Sequence, residues 1–230
     1  MRPDTLVKLQ ALRAQARSVA LVTRIKDGAQ ALVCGAIQEG ELALDAGILQ
    51  EVGRCINTDS SGNVGDELFV RVYSPPRRML LVGAVHISQE LIKLAPSAGF
   101  RVTIIDPRTA FSSRERFPGA HLLTEWPDLA ITGMKPDSRT AIITLTHDPK
   151  LDDPALITAL GSDAFFVGAL GSRKTHAARL ARLTAQGVAD RDLARIHAPV
   201  GLALGGRRPG EIAVAILAQV IQAQYLGSKS

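Results

Sequence analysis

The sequence predicts an α/β protein in which a C-terminal domain built on a parallel sheet follows a small α+β domain. Three observations carry that prediction. Short continuous apolar runs recur beyond residue 78, at 79–83, 100–106, 140–146 and 164–170. Helical patterns alternate with them, and strands that are apolar on both faces, alternating with helices, describe a parallel sheet covered on both sides. Before this rhythm begins, Ser74-Pro75-Pro76-Arg77-Arg78 interrupts the chain, because adjacent prolines continue neither helix nor strand. The expected division is therefore 1–77 and 78–230, the second part with a Rossmann-like fold.

Taken in order, residues 5–17 carry Leu6, Leu9 and Leu12 at helical spacing, with Asp4 placed to cap a surface helix. Strands are expected at 19–23 and 31–37, separated by the turn Lys26-Asp27-Gly28. A second helix is expected over 42–56 and a polar loop over 59–65. A strand follows at 67–73, where Leu68, Val70 and Val72 alternate with polar positions. Beyond the boundary, helices are expected over 88–98, 153–160, 174–186 and 210–225. Pro209 suits the first position of the last helix. Apolar residues from Ile212 to Ile221 surround that helix almost completely, which predicts burial.

Composition narrows the function classes. The chain has 230 residues, 46% of them hydrophobic, and a formal charge of +5, which argues against disorder. Aromatic residues make up 4%, too few to build stacking platforms for single-stranded nucleic acid. No apolar run reaches the roughly 18 residues of a membrane span, and the N-terminus opens a helix instead of a signal peptide. Two cysteines, Cys34 and Cys55, exclude a disulfide framework and a four-cysteine zinc site. They suit small buried residues in a reducing compartment, so a cytoplasmic location is expected. No metal site is expected. Residues 173–208 carry Arg173, Lys174, Arg179, Arg182, Arg191, Arg195, Arg207 and Arg208 against Asp190 and Asp192. That concentration suits an anionic ligand or partner, and equally a solvated helix face.

Three strand-to-helix loops could carry chemistry. Gly83-Ala84-Val85-His86-Ile87-Ser88 keeps only the first glycine of a G-x-G-x-x-G dinucleotide fingerprint, and Val85 places a branched side chain where a pyrophosphate would lie. Asp106 ends the next strand, where a ribose-binding acid belongs, and Arg108 just beyond could meet a 2′-phosphate. The second loop, Gly168-Ala169-Leu170-Gly171-Ser172-Arg173-Lys174-Thr175, departs from a P-loop at Arg173, where backbone freedom requires glycine. It still offers helix-start N–H groups with Ser172, Arg173 and Lys174 as an anion site. The third is Thr146-His147-Asp148 at the end of a strand, where parallel sheets bind ligands. His147 could contact a ligand, donate a proton or brace a neighbouring loop. His121, His176 and His197 lack companions at metal-ligand spacing and read as structural or surface groups. No catalytic residue is assigned.

Several blocks in order resemble the C-terminal Rossmann-type domain of the XdhC/CoxI family, accessory proteins of xanthine dehydrogenase and carbon monoxide dehydrogenase. They are Leu80-Leu81-Val82-Gly83-Ala84-Val85-His86, Asp106-Pro107-Arg108 with Arg116-Phe117-Pro118, Thr146-His147-Asp148 and Gly171-Ser172-Arg173. His197-Ala198-Pro199-Val200-Gly201-Leu202 and Pro209-Gly210-Glu211-Ile212-Ala213 complete the set. The resemblance implies a maturation factor that holds molybdenum cofactor, assists its sulfuration and inserts it into a molybdenum hydroxylase, in place of turnover of a metabolite. It also implies a cysteine desulfurase as partner. The implied cofactor-binding residues are Gly83, Ala84, His86, Asp106, Arg108, Thr146, His147, Gly171, Ser172, Arg173 and Lys174. Longer members carry G-S-x-P-R and G-G-C-x-E segments that this chain lacks, and their Gly-Ala-Gly-His reads Gly83-Ala84-Val85-His86 here. A full-length relative, or a second copy of the chain, is then a further expected partner. Two other readings stay open: an NAD(P)-dependent oxidoreductase, and a scaffold that binds the hydroxylase without any cofactor.

Overall fold

In the computed structural model, residues 2–226 are described, and they form two compact units that divide between Pro75 and Pro76. Met1 and residues 227–230, the outer ends of the expected domains, lie outside the described residues.

The N-terminal unit is an antiparallel sheet with a helix on each face. Its elements are α1 (Pro3–Ala14), β1 (Val19–Arg24), β2 (Gln30–Cys34), β3 (Ile37–Gly40), α2 (Ala46–Thr58), β4 (Gly62–Val64) and β5 (Leu68–Tyr73), in the sheet order β3-β2-β1-β5-β4. Alternation sorts the side chains. Ala20, Val22, Ala31, Val33 and Val70 meet Val52 and its neighbours on α2, while Val19, Leu21, Leu32 and Cys34 meet Leu9 of α1. The stretch 31–37, expected as one strand, is instead a hairpin. Cys34 pairs with Ile37 across Gly35-Ala36, and Gly35 supplies the left-handed φ of +61° that the turn requires. The loop 59–65 contains β4. Asp4 does not cap α1: the helix starts at Pro3, no side chain bonds its first turn, and Asp4 lies inside that turn. Asp45 does cap α2, accepting from Ile48 N at 2.8 Å, which moves the expected start from 42 to 46.

The C-terminal unit is a six-stranded, wholly parallel sheet with helices on both faces. It comprises β6 (Arg77–Val82), α3 (His86–Leu94), β7 (Phe100–Ile105), β8 (His121–Leu123), α4 (Pro127–Met134), β9 (Thr140–Thr144), α5 (Pro149–Leu160), β10 (Phe166–Ala169), α6 (Arg173–Ala185), α7 (Asp190–Leu193), β11 (Ile196–His197) and α8 (Pro209–Leu226). The order β11-β10-β9-β6-β7-β8 reverses direction between β6 and β9, which makes the crevice beyond their C-terminal ends the topological switch point. One core lies between the sheet and α3 with α8, around Leu81, Leu91, Ile104, Ile143 and Ile216. The other packs α4, α5 and α6 on the opposite face, around Leu80, Ile131, Ile142, Leu156 and Leu183.

The helix expected over 88–98 is α-helical to Leu94 and tightens into one 3-10 turn at Ala95–Ala98, where Pro96 offers no N–H. α8 is amphipathic instead of buried all round: Ala213, Ile216 and Val220 are enclosed, while Val214 is 47% exposed. Among the described residues no helix is long and apolar enough to cross a membrane. No group of three or more His, Cys, Asp or Glu among them could hold a metal ion.

Candidate functional site

The loops leaving β6, β7, β9 and β10 meet at the C-terminal edge of the sheet, and their chemistry starts from Gly83. Its φ is +118°, and a Cβ there would lie 2.8 Å from Thr146 Cγ2. The glycine thus lets the β6–α3 loop close against the β9–α5 loop. Ser88 is buried and donates to the Gly83 carbonyl at 2.6 Å. Val85 precedes α3 and gives its first turn no side-chain cap, and His86, the first helical residue, is exposed.

Asp106 is fully buried and saturated. Its Oδ2 accepts from Ala84 N at 2.8 Å and Arg108 Nη2 at 2.8 Å. Its Oδ1 accepts from Arg108 N at 3.0 Å and Arg108 Nε at 2.9 Å. A carboxylate offers about four lone-pair sites, so none remains for ribose hydroxyls. Burial alone would raise this carboxyl's pKa, but the Arg108 side chain and the Ala84 and Arg108 N–H groups outweigh it and hold it below the usual range. The expected ribose-binding acid is therefore a strut that ties the β6–α3 loop to the β7–β8 loop. Arg108, bonded to Asp106 on one side, lies 4.8 Å from the centre of the half-exposed Phe111 ring.

Thr146 is likewise consumed within the protein. Its hydroxyl donates to Asp152 Oδ1 at 2.6 Å and accepts from Asp148 N at 3.0 Å. His147 N donates to Asp152 Oδ2 at 3.1 Å. This holds His147 at a φ of +62°, a conformation that costs a non-glycine residue about 1 kcal/mol or more. The outcome is an exposed imidazole at the rim of the sheet. Asp152 is buried on α5, and burial raises its pKa against the opposing Thr146 hydrogen bond and the charge of Arg179.

At the start of α6, Ser172 Oγ accepts from Thr175 N at 3.1 Å. The N–H groups of Arg173 and Lys174 belong to the first turn, where no intrahelical acceptor exists. Their side chains are exposed and have no ion-pair partner among the described residues. The start of α8 differs: Glu211 Oε2 already accepts from Arg207 N at 2.8 Å and Arg208 N at 3.0 Å, so a carboxylate occupies that helix end. His197 stacks on Phe166, with ring centroids 4.4 Å apart, and His121 Nδ1 is 3.3 Å from Thr103 Oγ1.

Sequence reasoning missed Asp152 and placed Arg179 only within a general basic concentration; both sit beneath these loops. A signal was present: two consecutive acids, Asp152 and Asp153, precede the apolar part of α5, and Arg179 and Arg182 are spaced one turn apart on α6.

The chain matches the family model of the XdhC Rossmann domain over residues 79–220. It is 29% identical over 181 residues to a Bacillus subtilis protein named as a probable xanthine dehydrogenase component, covering 76% of this chain and 52% of that one. It is 30% identical over 148 residues to the Escherichia coli molybdenum cofactor insertion chaperone PaoD, covering 64% and 40%. A crystal structure of a xanthine dehydrogenase from Bacillus halodurans shares the fold, with a TM-score of 0.72 at 23% identity, covering 99% of this chain and 65% of that one. The chain thus spans about half or less of the length of the Bacillus subtilis and Escherichia coli relatives. With a family match over most of its length, the chain belongs to the XdhC Rossmann-domain family.

Proposed function

We propose that the chain is a maturation factor for a molybdenum hydroxylase, holding molybdenum cofactor at the C-terminal edge of its parallel sheet before the cofactor enters the apoenzyme. The observation that carries this reading is the contrast between two corners of the site. The corner where a dinucleotide would place its ribose is closed by Arg108 on Asp106. The corner at α6 is open, with first-turn donors and with Arg173 and Lys174 exposed and without an ion-pair partner among the described residues. A pterin cofactor with a terminal phosphate suits the second corner and needs nothing from the first. Gly83, Ala84 and His86 border the cargo, His147 faces it from the switch point, and Gly171, Ser172, Arg173 and Lys174 receive its phosphate. Arg108, Asp106 and Thr146 hold the loops in place.

The C-terminal unit contains no cysteine. It therefore offers the cargo no thiolate, as befits a carrier that must release what it holds. Sulfur for the terminal sulfido ligand then comes from a partner, a cysteine desulfurase, and the client is a xanthine or carbon monoxide dehydrogenase-type enzyme. The names of the two relatives support the same reading.

The test is to purify the chain from a host that makes molybdenum cofactor, release bound small molecules, oxidise them, and assay fluorescent pterin and adenine dinucleotide. Pterin is expected. Dinucleotide would make the protein an oxidoreductase, and neither would leave a scaffold. Changing Arg173 and Lys174 together to Ala is expected to lower cofactor retention about tenfold, because two solvent-exposed charged contacts contribute up to about 1 kcal/mol each and about 1.4 kcal/mol is a factor of ten. Unchanged retention would remove the α6 corner from the site.

A further inference from the structure

Arg179 is 2% exposed, on the inner face of α6. A guanidinium carries five N–H donors, and buried charges ordinarily find partners. Among the described residues one hydrogen bond is made here: Nη2 donates to the Leu170 carbonyl at 2.8 Å. The facing carboxylate, Asp152, stays 3.9 Å away, beyond hydrogen-bond reach, because its oxygens hold Thr146 and His147. Nε and Nη1 have no hydrogen-bond partner among the described residues. One turn along α6 and one residue along α5 the pairing is closed: Arg182 grips Asp153 with bonds of 2.6 and 2.9 Å. The open pair is the one that lies under the candidate site.

Its place in the fold is specific. A Cβ on Gly171, whose φ is +141°, would lie 3.8 Å from Arg179 Nη2. Immediately above come Ser172, which caps α6, and the exposed Arg173 and Lys174. Burial disfavours the charged form of Arg179, and the Asp152 and Asp153 carboxylates oppose that only in part. A charge this poorly compensated and this far from water is weakly screened. Arg179 Nη2 lies directly behind Gly171, the one residue of the loop that has no side chain.

We propose that Arg179 is a positioning residue for a phosphate or phosphate monoester seated over residues 171–174. Its buried charge attracts the anion, and its bond to the Leu170 carbonyl fixes the loop that receives it, without touching the ligand. This rests on the anion corner of the function proposed above and adds the residue that gives that corner its charge preference.

The test uses the full chain and inorganic phosphate and pyrophosphate as probes, with affinity from calorimetry and Tm from a thermal melt. The variant Arg179→Met is made with Asp152→Asn, so that no carboxylate is left buried beside a missing cation. The amide introduced at position 152 can still accept from His147 N. Replacing both members of a buried charge pair often leaves stability unchanged or raised, so Tm is expected to hold or rise. Measured against Asp152→Asn alone, which keeps the guanidinium, phosphate affinity of the double variant is expected to fall about tenfold or more, each decade being about 1.4 kcal/mol of lost attraction. Arg179→Lys keeps the charge and loses the fork, and is expected to retain affinity within about threefold of the parent. The proposal is overturned if the Met variant binds phosphate as Asp152→Asn alone does, if Lys binds as weakly as Met, or if the parent binds neither probe. A Met variant that loses both Tm and affinity still supports it when an equally destabilised Lys variant binds.

The two readings can also fail separately. Phosphate binding that depends on Arg179 in a protein that never carries pterin would sink the cofactor reading alone. Pterin retained equally by the parent and the Met variant, with phosphate affinity unmoved, would sink the Arg179 inference alone.

Discussion

Asp106→Asn is expected to destabilise the C-terminal unit by about 2–4 kcal/mol at neutral pH, the cost of breaking a largely buried pair and leaving part of Arg108 unpartnered. The native carboxylate takes four N–H bonds on two oxygens, and an amide can accept at only one of its two ends. The loss should depend on pH in a definite direction. The folded pKa of Asp106 lies below the usual range. Its contribution is therefore complete above the unfolded value of about 3.9 and disappears as pH falls through the folded value. Denaturant melts of parent and variant should differ most at pH 7 and converge on acidification below about pH 4. Asp27 in the N-terminal unit, held at about 2 by Arg24, and Asp137 beside Arg78 also favour the folded state above this range. They are common to both proteins and cancel in the difference. Trp126, the single tryptophan, lies in the C-terminal unit and reports its unfolding. A gap that stays constant from pH 7 to pH 3 would show that the carboxylate's charge is not what the site uses.

How much of this was legible in the sequence varies by element, for physical reasons. The strands β6, β7, β9 and β10 are covered on both faces, so each reads as a predominantly apolar run whose ends fall within a few residues of the strand. β8 and β11 have three and two residues, too few for any periodicity to show. α4, behind Trp126-Pro127, is likewise absent from the pattern. α5 begins four residues earlier than expected because Asp148 caps it and Pro149 takes the first position. Pro154, which looks like a helix breaker, is carried inside it. Asp followed by Pro is a readable start signal, and an interior proline obscures it.

The site divides along the same line. Its loops are visible, since each follows an apolar run and carries Gly83, Asp106, His147 or Ser172. What the side chains do with one another is not. Asp106 looks available for a ribose, and only the backward turn of Arg108 onto it shows that it is taken. Thr146 looks like a ligand contact, yet its hydroxyl is spent on Asp152 and Asp148. Asp152 and Arg179 meet through a parallel crossover, and spacing along a chain does not reveal which faces of two helices it brings together.

Gly83→Ala is expected to cost the C-terminal unit about 2–6 kcal/mol, from two separable causes. A side chain at φ +118° carries backbone strain of about 1–3 kcal/mol. A methyl group 2.8 Å from Thr146 Cγ2 adds overpacking of about 1–3 kcal/mol. Thr146→Ser removes that Cγ2 and keeps the hydroxyl that bonds Asp152, so by itself it should cost only about 1 kcal/mol for one lost methyl. In the double variant the steric part is relieved and the backbone part remains. The coupling between the two sites, read from denaturant melts of all four proteins, is expected to be about 1 kcal/mol or more in favour of the double variant. Zero coupling would assign the glycine to its backbone angle alone. A positive coupling assigns it to the closure of the β6–α3 loop on the β9–α5 loop. In that case the first glycine of an apparent dinucleotide fingerprint serves contact between two protein loops, and its presence here says nothing in favour of a pyrophosphate.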